Sequence, residues 1–411
     1  MLSLQKNKIF YIHFLAIIVG LCFSWKLIRL TSLTSIQPYV AEIWNIHGIF
    51  IAILFSISFG LVIFRKVSFR KLDFYIIGIL LLFLFSVIIN QTFVNVRFYA
   101  NFILPAGIYF IGVYLSKYYS DKNDCYQFID SLFLFLIIIL FIDFLDLNFT
   151  NQIIFNYRFG YDVSQLKLIS LNNLYFRTLH SFFNFVVFRP VGISMVVHAS
   201  AALAAGIFLY FGSRCVSIYQ NKLHGRFPLV FLGLLLSTVH ILLISVGTAY
   251  LIILLAVPFI LKNKFNKIVS IIFMIMCILA IWKSRSYLPI EHMFTENINT
   301  FKNLDHHWLK YLFLGSTSMD SDTYFQSEIY FFTLVFVIGI FAAAIFSFYN
   351  IYVLYKATKA GKPNLIALAL IIFSLLIGNI HYNTLFIYPN SVIYFIILGY
   401  LNTELGPHAE K

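Results

Sequence analysis

Charge is what this sequence has least of. Only 11% of its 411 residues are Asp, Glu, Lys or Arg, and the acidic kind is the scarcer, 16 against 29. A soluble globular domain carries roughly 25% charged residues, so this composition excludes an ordinary water-facing protein. Cysteine is also rare. Cys22, Cys125, Cys215 and Cys277 fall in apolar runs or short basic turns and never in a long polar loop, which excludes a disulfide framework. No His or Cys spacing matches a zinc or iron–sulfur site, so no structural metal and no cofactor is expected. A repeat of fixed period and low-complexity segments are missing too.

What is there is hydrophobic: 61% of residues are apolar, 19% are aromatic, and the mean hydropathy is +0.89. The expected class is all-α, a polytopic integral membrane protein forming one membrane domain over residues 1–411. A span needs roughly 20 mostly apolar residues. Runs of that kind lie at Ile9–Trp25, His47–Phe64, Phe74–Ile89, Phe98–Tyr114, Phe128–Leu147 and Val191–Phe211. They continue at Pro228–Ser245, Thr248–Leu261, Phe265–Trp282, Ile329–Tyr355, Asn364–His381 and Pro389–Tyr400, about twelve spans in all. The first follows Lys6 and Lys8 without a small-residue cleavage site, which reads as a signal-anchor rather than a removed signal peptide.

The formal net charge of +13 invites a nucleic-acid reading, but basic residues in a membrane protein mark the cytoplasmic side. Most of them fall in alternate short turns: Arg65, Lys66, Arg70 and Lys71; Lys117 and Lys122; Arg214, Lys222 and Arg226; Lys262, Lys264 and Lys267; Lys356, Lys359 and Lys362. That alternation requires an even number of spans and puts both termini in the cytoplasm. Two long connections, about residues 148–188 and 283–326, then face the outside. Leu168, Leu171, Leu174, Tyr175, Leu179 and Phe182 at helical spacing predict an interfacial helix in the first. Trp308, Leu309, Tyr311, Leu312 and Leu314 before Gly315 predict another in the second.

Arginine at a membrane mouth is costly and is a functional candidate by default. Arg158, Arg177 and Arg189 lie on or beside the first long connection, and Arg189 is followed by Pro190 and Gly192. A guanidinium forks onto phosphate oxygens through two parallel charge-assisted bonds, so clustered arginines at this depth suit a diphosphate headgroup whose lipid tail stays in the bilayer. The bland reading is that they snorkel to lipid phosphates. The second connection holds the acid–base candidates Glu328, Asp322 and His307, with Glu291, Glu296, Asp305, His306 and Asp320 around them. Glu328 and Asp322 also suit a helix start, where the macrodipole and capping favour carboxylates. Within the spans, His198, His240, Asp130 and Asp143 are candidate relay groups or simple partners of a neighbouring helix.

The order of these features resembles the Wzy O-antigen polymerases and, more distantly, the O-antigen ligases. The resemblance rests on Arg189-Pro190-Val191-Gly192 opening a span ahead of His198-Ala199-Ser200, on Leu314-Gly315, on Asp320, Asp322 and Tyr324, and on a span entered at Glu328 with Gly339 inside it. It implies a metal-independent glycosyltransferase, expected to invert, that joins undecaprenyl-diphosphate-linked oligosaccharide repeat units on the periplasmic face of the bacterial inner membrane. In that reading Arg189, Arg177 and Arg158 bind the donor diphosphate, and Glu328, Asp322 or His307 deprotonates the acceptor hydroxyl. The partners implied are the two lipid-linked oligosaccharides, membrane lipid and a chain-length regulator protein, with no nucleic acid. The alternatives are an O-antigen ligase and, from another class, a lipid-linked oligosaccharide flippase. A flippase would be expected to line a central cavity with cations and to have short loops, whereas this sequence has two long outer connections.

Overall fold

The computed structural model describes residues 2–28, 46–64, 66–67, 69–91, 98–118, 122–149, 192–194, 196–220, 226–244, 246–261, 308–316, 330–381 and 383–406. Among these residues the regular secondary structure is all helix, with no strand. In chain order the main helices are α1 (Leu2–Phe23), α2 (Ile46–Ile63), α3 (Asp73–Ile89), α4 (Leu104–Tyr118, preceded by a π-helical turn Tyr99–Ile103), α5 (Lys122–Phe149) and α6 (Val197–Gln220). They are followed by α7 (Phe227–Ile244), α8 (Gly247–Leu261), α9 (Trp308–Leu314), α10 (Tyr330–Ile338), α11 (Ile340–Ala360), α12 (Pro363–His381) and α13 (Asn390–Glu404). Six helical stretches among the described residues are long and apolar enough to cross a membrane: Tyr99–Lys117, Asp124–Asp146, Val197–Tyr219, Phe227–Ile244, Ile340–Ala360 and Pro363–Ile380. Shorter apolar helices occupy Phe10–Phe23, Gly48–Ile63, Asp73–Ile89 and Gly247–Ala256.

Two of the expected runs differ in form. The apolar stretch Ile329–Tyr355 reads as one span, but the helix breaks at Gly339 (φ 83°, ψ 152°) into α10 and α11. Glycine tolerates that conformation at no steric cost. The run beginning at Val191 also starts late: Gly192–Ser194 forms a turn and helix resumes at Val197. The run Phe265–Trp282 and the amphipathic stretch around Leu171 lie outside the described residues.

The chain divides into two compact units, one of residues 1–50 and 119–250, the other of residues 51–118 and 251–411. In the first, α5 packs on α1 and α7, and α6 packs on α7. Small residues make the α6 packing close: Ala199, Ala201, Ala202, Ala204 and Ala205 are all buried. Where lipid and side chain are equally apolar, association depends on such close packing rather than on a hydrophobic drive. The opposite type of surface is carried by α1, whose Phe10, Tyr11, Phe14, Leu15, Ile18 and Leu21 are exposed. A helix face that exposes this many large apolar side chains is suited to a hydrocarbon solvent.

In the second unit the most extensive packing joins α4 to α13. A side-chain carbon at Gly112 would overlap the Ile396 carbonyl, and one at Gly399 the Tyr109 carbonyl, so reciprocal glycines set the approach of these two helices. A polar hub lies within the same packing. Tyr109 Oη donates to Asp73 Oδ1 at 2.7 Å and lies 2.9 Å from Tyr349 Oη. Asn402 Nδ2 donates to both Asp73 Oδ1 (2.8 Å) and Tyr109 Oη (2.6 Å), while the backbone N–H of Arg70 donates to Asp73 Oδ2 at 2.7 Å. Asp73 is fully buried, and its carboxylate is tolerated because both oxygens accept hydrogen bonds. One carboxylate thus links α3, α4 and α13 and, through Tyr349, α11.

Candidate functional site

In the first unit, polar groups gather where α5 ends and α6 begins. Asp143 and Asp146 sit on the last two turns of α5, one helical turn apart and both buried. Three residues after Arg189 in the sequence, Gly192 adopts a left-handed conformation with φ 67°. Its backbone N–H donates to Asp143 Oδ2 at 3.0 Å. The N–H of Ser194 lies 3.3 Å from Ser200 Oγ, which turns the same segment back onto the first turn of α6. His198, also in that first turn, has Nδ1 3.2 Å from Thr248 Oγ1 at the start of α8. His240, near the end of α7, is fully buried and its Nδ1 has no partner among the described residues.

The chemistry of this cluster follows from its parts. An acceptor-only carboxylate on a backbone N–H fixes the main chain. A second buried acidic side chain one turn away puts two ionisable groups side by side within an apolar helix, where such residues are rare and mark candidate functional positions. A histidine oriented by a hydroxyl is a group able to carry a proton. Among the described residues, no three His, Cys, Asp or Glu side chains converge as metal ligands would.

Compared with models of protein families, with characterised proteins and with solved structures, the chain matches none.

The second unit holds a junction of different construction. The short helix α9 ends at Gly315 (φ 77°), and the helix break at Gly339 lies directly against it. A side-chain carbon at Gly315 would overlap the Val337 carbonyl, and one at Gly339 the Phe313 carbonyl. The backbone N–H of Ser316 donates to Phe336 O at 2.7 Å. From α3, Asn90 Nδ2 donates to Gly315 O at 2.6 Å, and Ser86 Oγ donates to Leu314 O. Three carbonyls at this junction, Leu314 O, Gly315 O and Phe336 O, are therefore claimed by named donors, in keeping with the need of backbone away from water for partners.

The sequence candidates stand as follows. Arg158, Arg177, Arg189, His307, Asp322 and Glu328 all lie outside the described residues. Gly192 and Gly315, which flank them in the sequence, lie in the two arrangements just described. Of the four candidate relay groups, Asp143 holds the Gly192 turn and His198 lies on the adjoining first turn of α6, His240 is buried separately on α7, and Asp130 has a different role. Asp130 is buried in an ion pair with Arg214: Nε to Oδ1 at 3.0 Å and Nη2 to Oδ2 at 2.7 Å. Tyr210 Oη donates to the same carboxylate at 2.7 Å, and the guanidinium lies 5.0 Å from the Tyr126 ring centre. Arg214 is thus no cytoplasmic turn charge but a residue inside the apolar stretch Val197–Tyr219, 2% exposed and forked onto a carboxylate.

Sequence reasoning passed over Asp146, Thr248, Ser86 and Asn90. For Asp146 the signal was present, an acidic residue one turn from Asp143 in an apolar run. For the others it was not, because small polar residues in spans are common and their partners lie elsewhere in the chain.

Proposed function

We propose that this chain is a membrane glycosyltransferase of the O-antigen polymerase kind, with about twelve spans, both termini cytoplasmic, and its active site on the periplasmic face of the bacterial inner membrane. The reading rests first on the Gly192 turn. A buried Asp143 oxygen accepts the backbone N–H of Gly192 at 3.0 Å, which fixes the main chain at Gly192, three positions after Arg189 in the sequence. Electrostatic stabilisation of a leaving group depends on charges held in place before the reaction, and a fixed turn close in sequence supports that role for Arg189.

The donor is a growing glycan on undecaprenyl diphosphate. Its sugar–phosphate C–O bond breaks, and the electron pair leaves with the diphosphate, whose charge Arg189, Arg177 and Arg158 neutralise. The acceptor is the terminal sugar of a new lipid-linked repeat unit. Its hydroxyl oxygen forms the new bond to the anomeric carbon from the opposite face, and its proton passes to Glu328, Asp322 or His307. The short helix in the second connection, α9, would lie at the interface on the same face. A chain-length regulator would be a partner of the assembled enzyme.

The test uses purified protein in liposomes with a lipid-linked oligosaccharide as donor and acceptor. Arg189→Ala should lower the polymerisation rate by roughly a hundredfold or more, the scale of removing one group that stabilises transition-state charge, while the protein remains in the membrane. Normal polymer from that variant would remove Arg189 from the diphosphate role. In cells, gene deletion separates the readings: single repeat units on the lipid A core mark a polymerase, none there marks a ligase, and units trapped inside mark a flippase.

A further inference from the structure

We propose that the hairpin of α11 and α12 binds one anionic phospholipid, with an acyl chain in the groove between the two helices and the phosphate on Lys359 and Lys362 at its mouth. The sequence makes this hairpin tight. Gly361 closes α11 in a left-handed conformation (φ 66°) and Pro363 opens α12 two residues later, glycine just past one helix and proline just inside the next. Between the helices runs a groove of about 240 Å³, open along one side and lined by Leu354, Thr358, Ile366, Ala369, Leu370 and Phe373. Ala369 and Leu370 are buried and form its floor, while Leu354, Thr358 and Ile366 are half-buried along its rim. Its surface is wholly apolar, and the one hydroxyl among its residues, Thr358 Oγ1, donates back to Tyr355 O at 2.8 Å. From Ile366 to Phe373 the helix advances about 10 Å, a third of the roughly 30 Å hydrocarbon core. A groove without polar partners has nothing to hold a sugar or a peptide; it suits a hydrocarbon chain lying along the helices.

The mouth of the groove is basic and uncompensated. Thr358 and Ile366 are its residues nearest the turn, and Lys356, Lys359 and Lys362 fall within seven positions there, while no Asp or Glu occurs between Glu328 and Glu404. None of the three lysines forms an ion pair among the described residues; Lys356 instead lies 5.6 Å from the centre of the Tyr352 ring. Among the described residues the buried carboxylates of this unit are engaged elsewhere, Asp73 by Tyr109, Asn402 and the Arg70 N–H, and Glu404 by Ser116 Oγ at 2.8 Å. Lys359, in the last turn of α11, suits a helix C-terminus, but Lys362 precedes the first turn of α12, where the macrodipole disfavours a cation. An anion placed there answers both Lys362 and the helix N-terminus. Tyr352 and Tyr355, exposed on α11, are side chains typical of the membrane interface. The occupant is therefore a phosphate joined to a chain: a free phosphate would leave the groove empty, and a neutral lipid would leave the lysines unanswered. The proposal is independent of the glycosyl-transfer reading, because it concerns the lipid around the protein and not the reaction.

The test is lipid binding by the purified full-length protein in detergent, read by native mass spectrometry, with phosphatidylglycerol and phosphatidylcholine of identical acyl chains as the probes. The wild type should retain one phosphatidylglycerol at a concentration about tenfold or more below that needed for phosphatidylcholine. Lys359→Ala combined with Lys362→Ala should weaken phosphatidylglycerol binding by about tenfold to thirtyfold, the scale of two lysines at an anionic surface, and bring it to the phosphatidylcholine level. Thr358→Trp, which puts an indole at the groove mouth, should weaken both lipids. Lys66→Ala combined with Lys71→Ala, an equal loss of charge at exposed positions away from this groove, should leave the binding as it is. Glycerol phosphate, which has the charge without the chain, should not displace the lipid. Equal retention of the two lipids by the wild type overturns the proposal, as does phosphatidylglycerol binding that the Lys359 and Lys362 changes leave unaltered or that the Lys66 and Lys71 changes lower as much. Displacement by glycerol phosphate at the lipid's own concentration, or undiminished binding by a folded Thr358→Trp protein, removes the groove from the site and overturns it too. Both lysines are exposed, so their variant decides the matter even where Thr358→Trp does not fold.

Discussion

At the scale of single residues, buried polar groups carry the information. The Asp130–Arg214 pair shows how such a group is held and what it costs to disturb. With Arg214 replaced by alanine, a carboxylate stays buried among apolar side chains without its cation, a loss of about 3–5 kcal/mol. The detergent-solubilised Arg214→Ala protein should therefore unfold at a clearly lower temperature than wild type, read by thermal unfolding or by aggregation in size exclusion. The double change Asp130→Asn with Arg214→Gln removes both charges and should cost less than Arg214→Ala alone; an Arg214→Ala protein as stable as wild type would show that the pair contributes nothing. The sequence made Arg214 look like a flanking charge beside Lys222 and Arg226. Only the fold distinguishes a flanking arginine from a paired one, because the pairing carboxylate stands 84 positions earlier. Asp143 was readable as an oddity for the same reason that Asp130 was, but its partner, the Gly192 backbone, carries no side-chain signal at all.

At the scale of helices, legibility followed how local the cause was. The limits of α7, α8 and α12 agree with the apolar runs to within about 1–2 residues, the ordinary scatter of helix ends, because hydropathy and the flanking polar residues fix them. The break at Gly339 was invisible: a lone glycine in an apolar run reads as a tolerated helix residue, and what makes it a break is Gly315 against it. The α4–α13 contact is another case in which glycines act in pairs. Gly399→Ala forces a methyl group into the Tyr109 carbonyl, and overpacking of this kind typically costs about 1–3 kcal/mol. The second unit should lose that much stability, measured as earlier proteolysis of the 51–118 and 251–411 regions on heating. Wild-type resistance would mean that the two helices can part without penalty. The candidate catalytic residues fall outside this kind of test, since none of them lies on a described helix.

At the scale of the whole molecule, the membrane reading makes a directional prediction. In the proposed orientation, reporter fusions after Leu171 and after Tyr311 both read as extracytoplasmic, and fusions in the turn around Lys66 read as cytoplasmic. A cytoplasmic signal from either of the first two overturns the twelve-span arrangement. The Arg214–Asp130 fork also has a consequence in time. The chain is synthesised from its N-terminus, so the helix with Asp130 leaves the ribosome before the helix with Arg214 exists. At roughly 5–20 residues per second, the 84 intervening positions take about 4–17 s. For that interval the Asp130 carboxylate, a kind of group that costs up to about 2.5–3.5 kcal/mol at the centre of a span, lacks Arg214, so the nascent helix must wait at the translocon, ride on its apolar neighbours, or stay protonated until its partner is made. The ion pair that looks static in the finished protein is, during synthesis, an appointment between two helices that the insertion machinery must keep open.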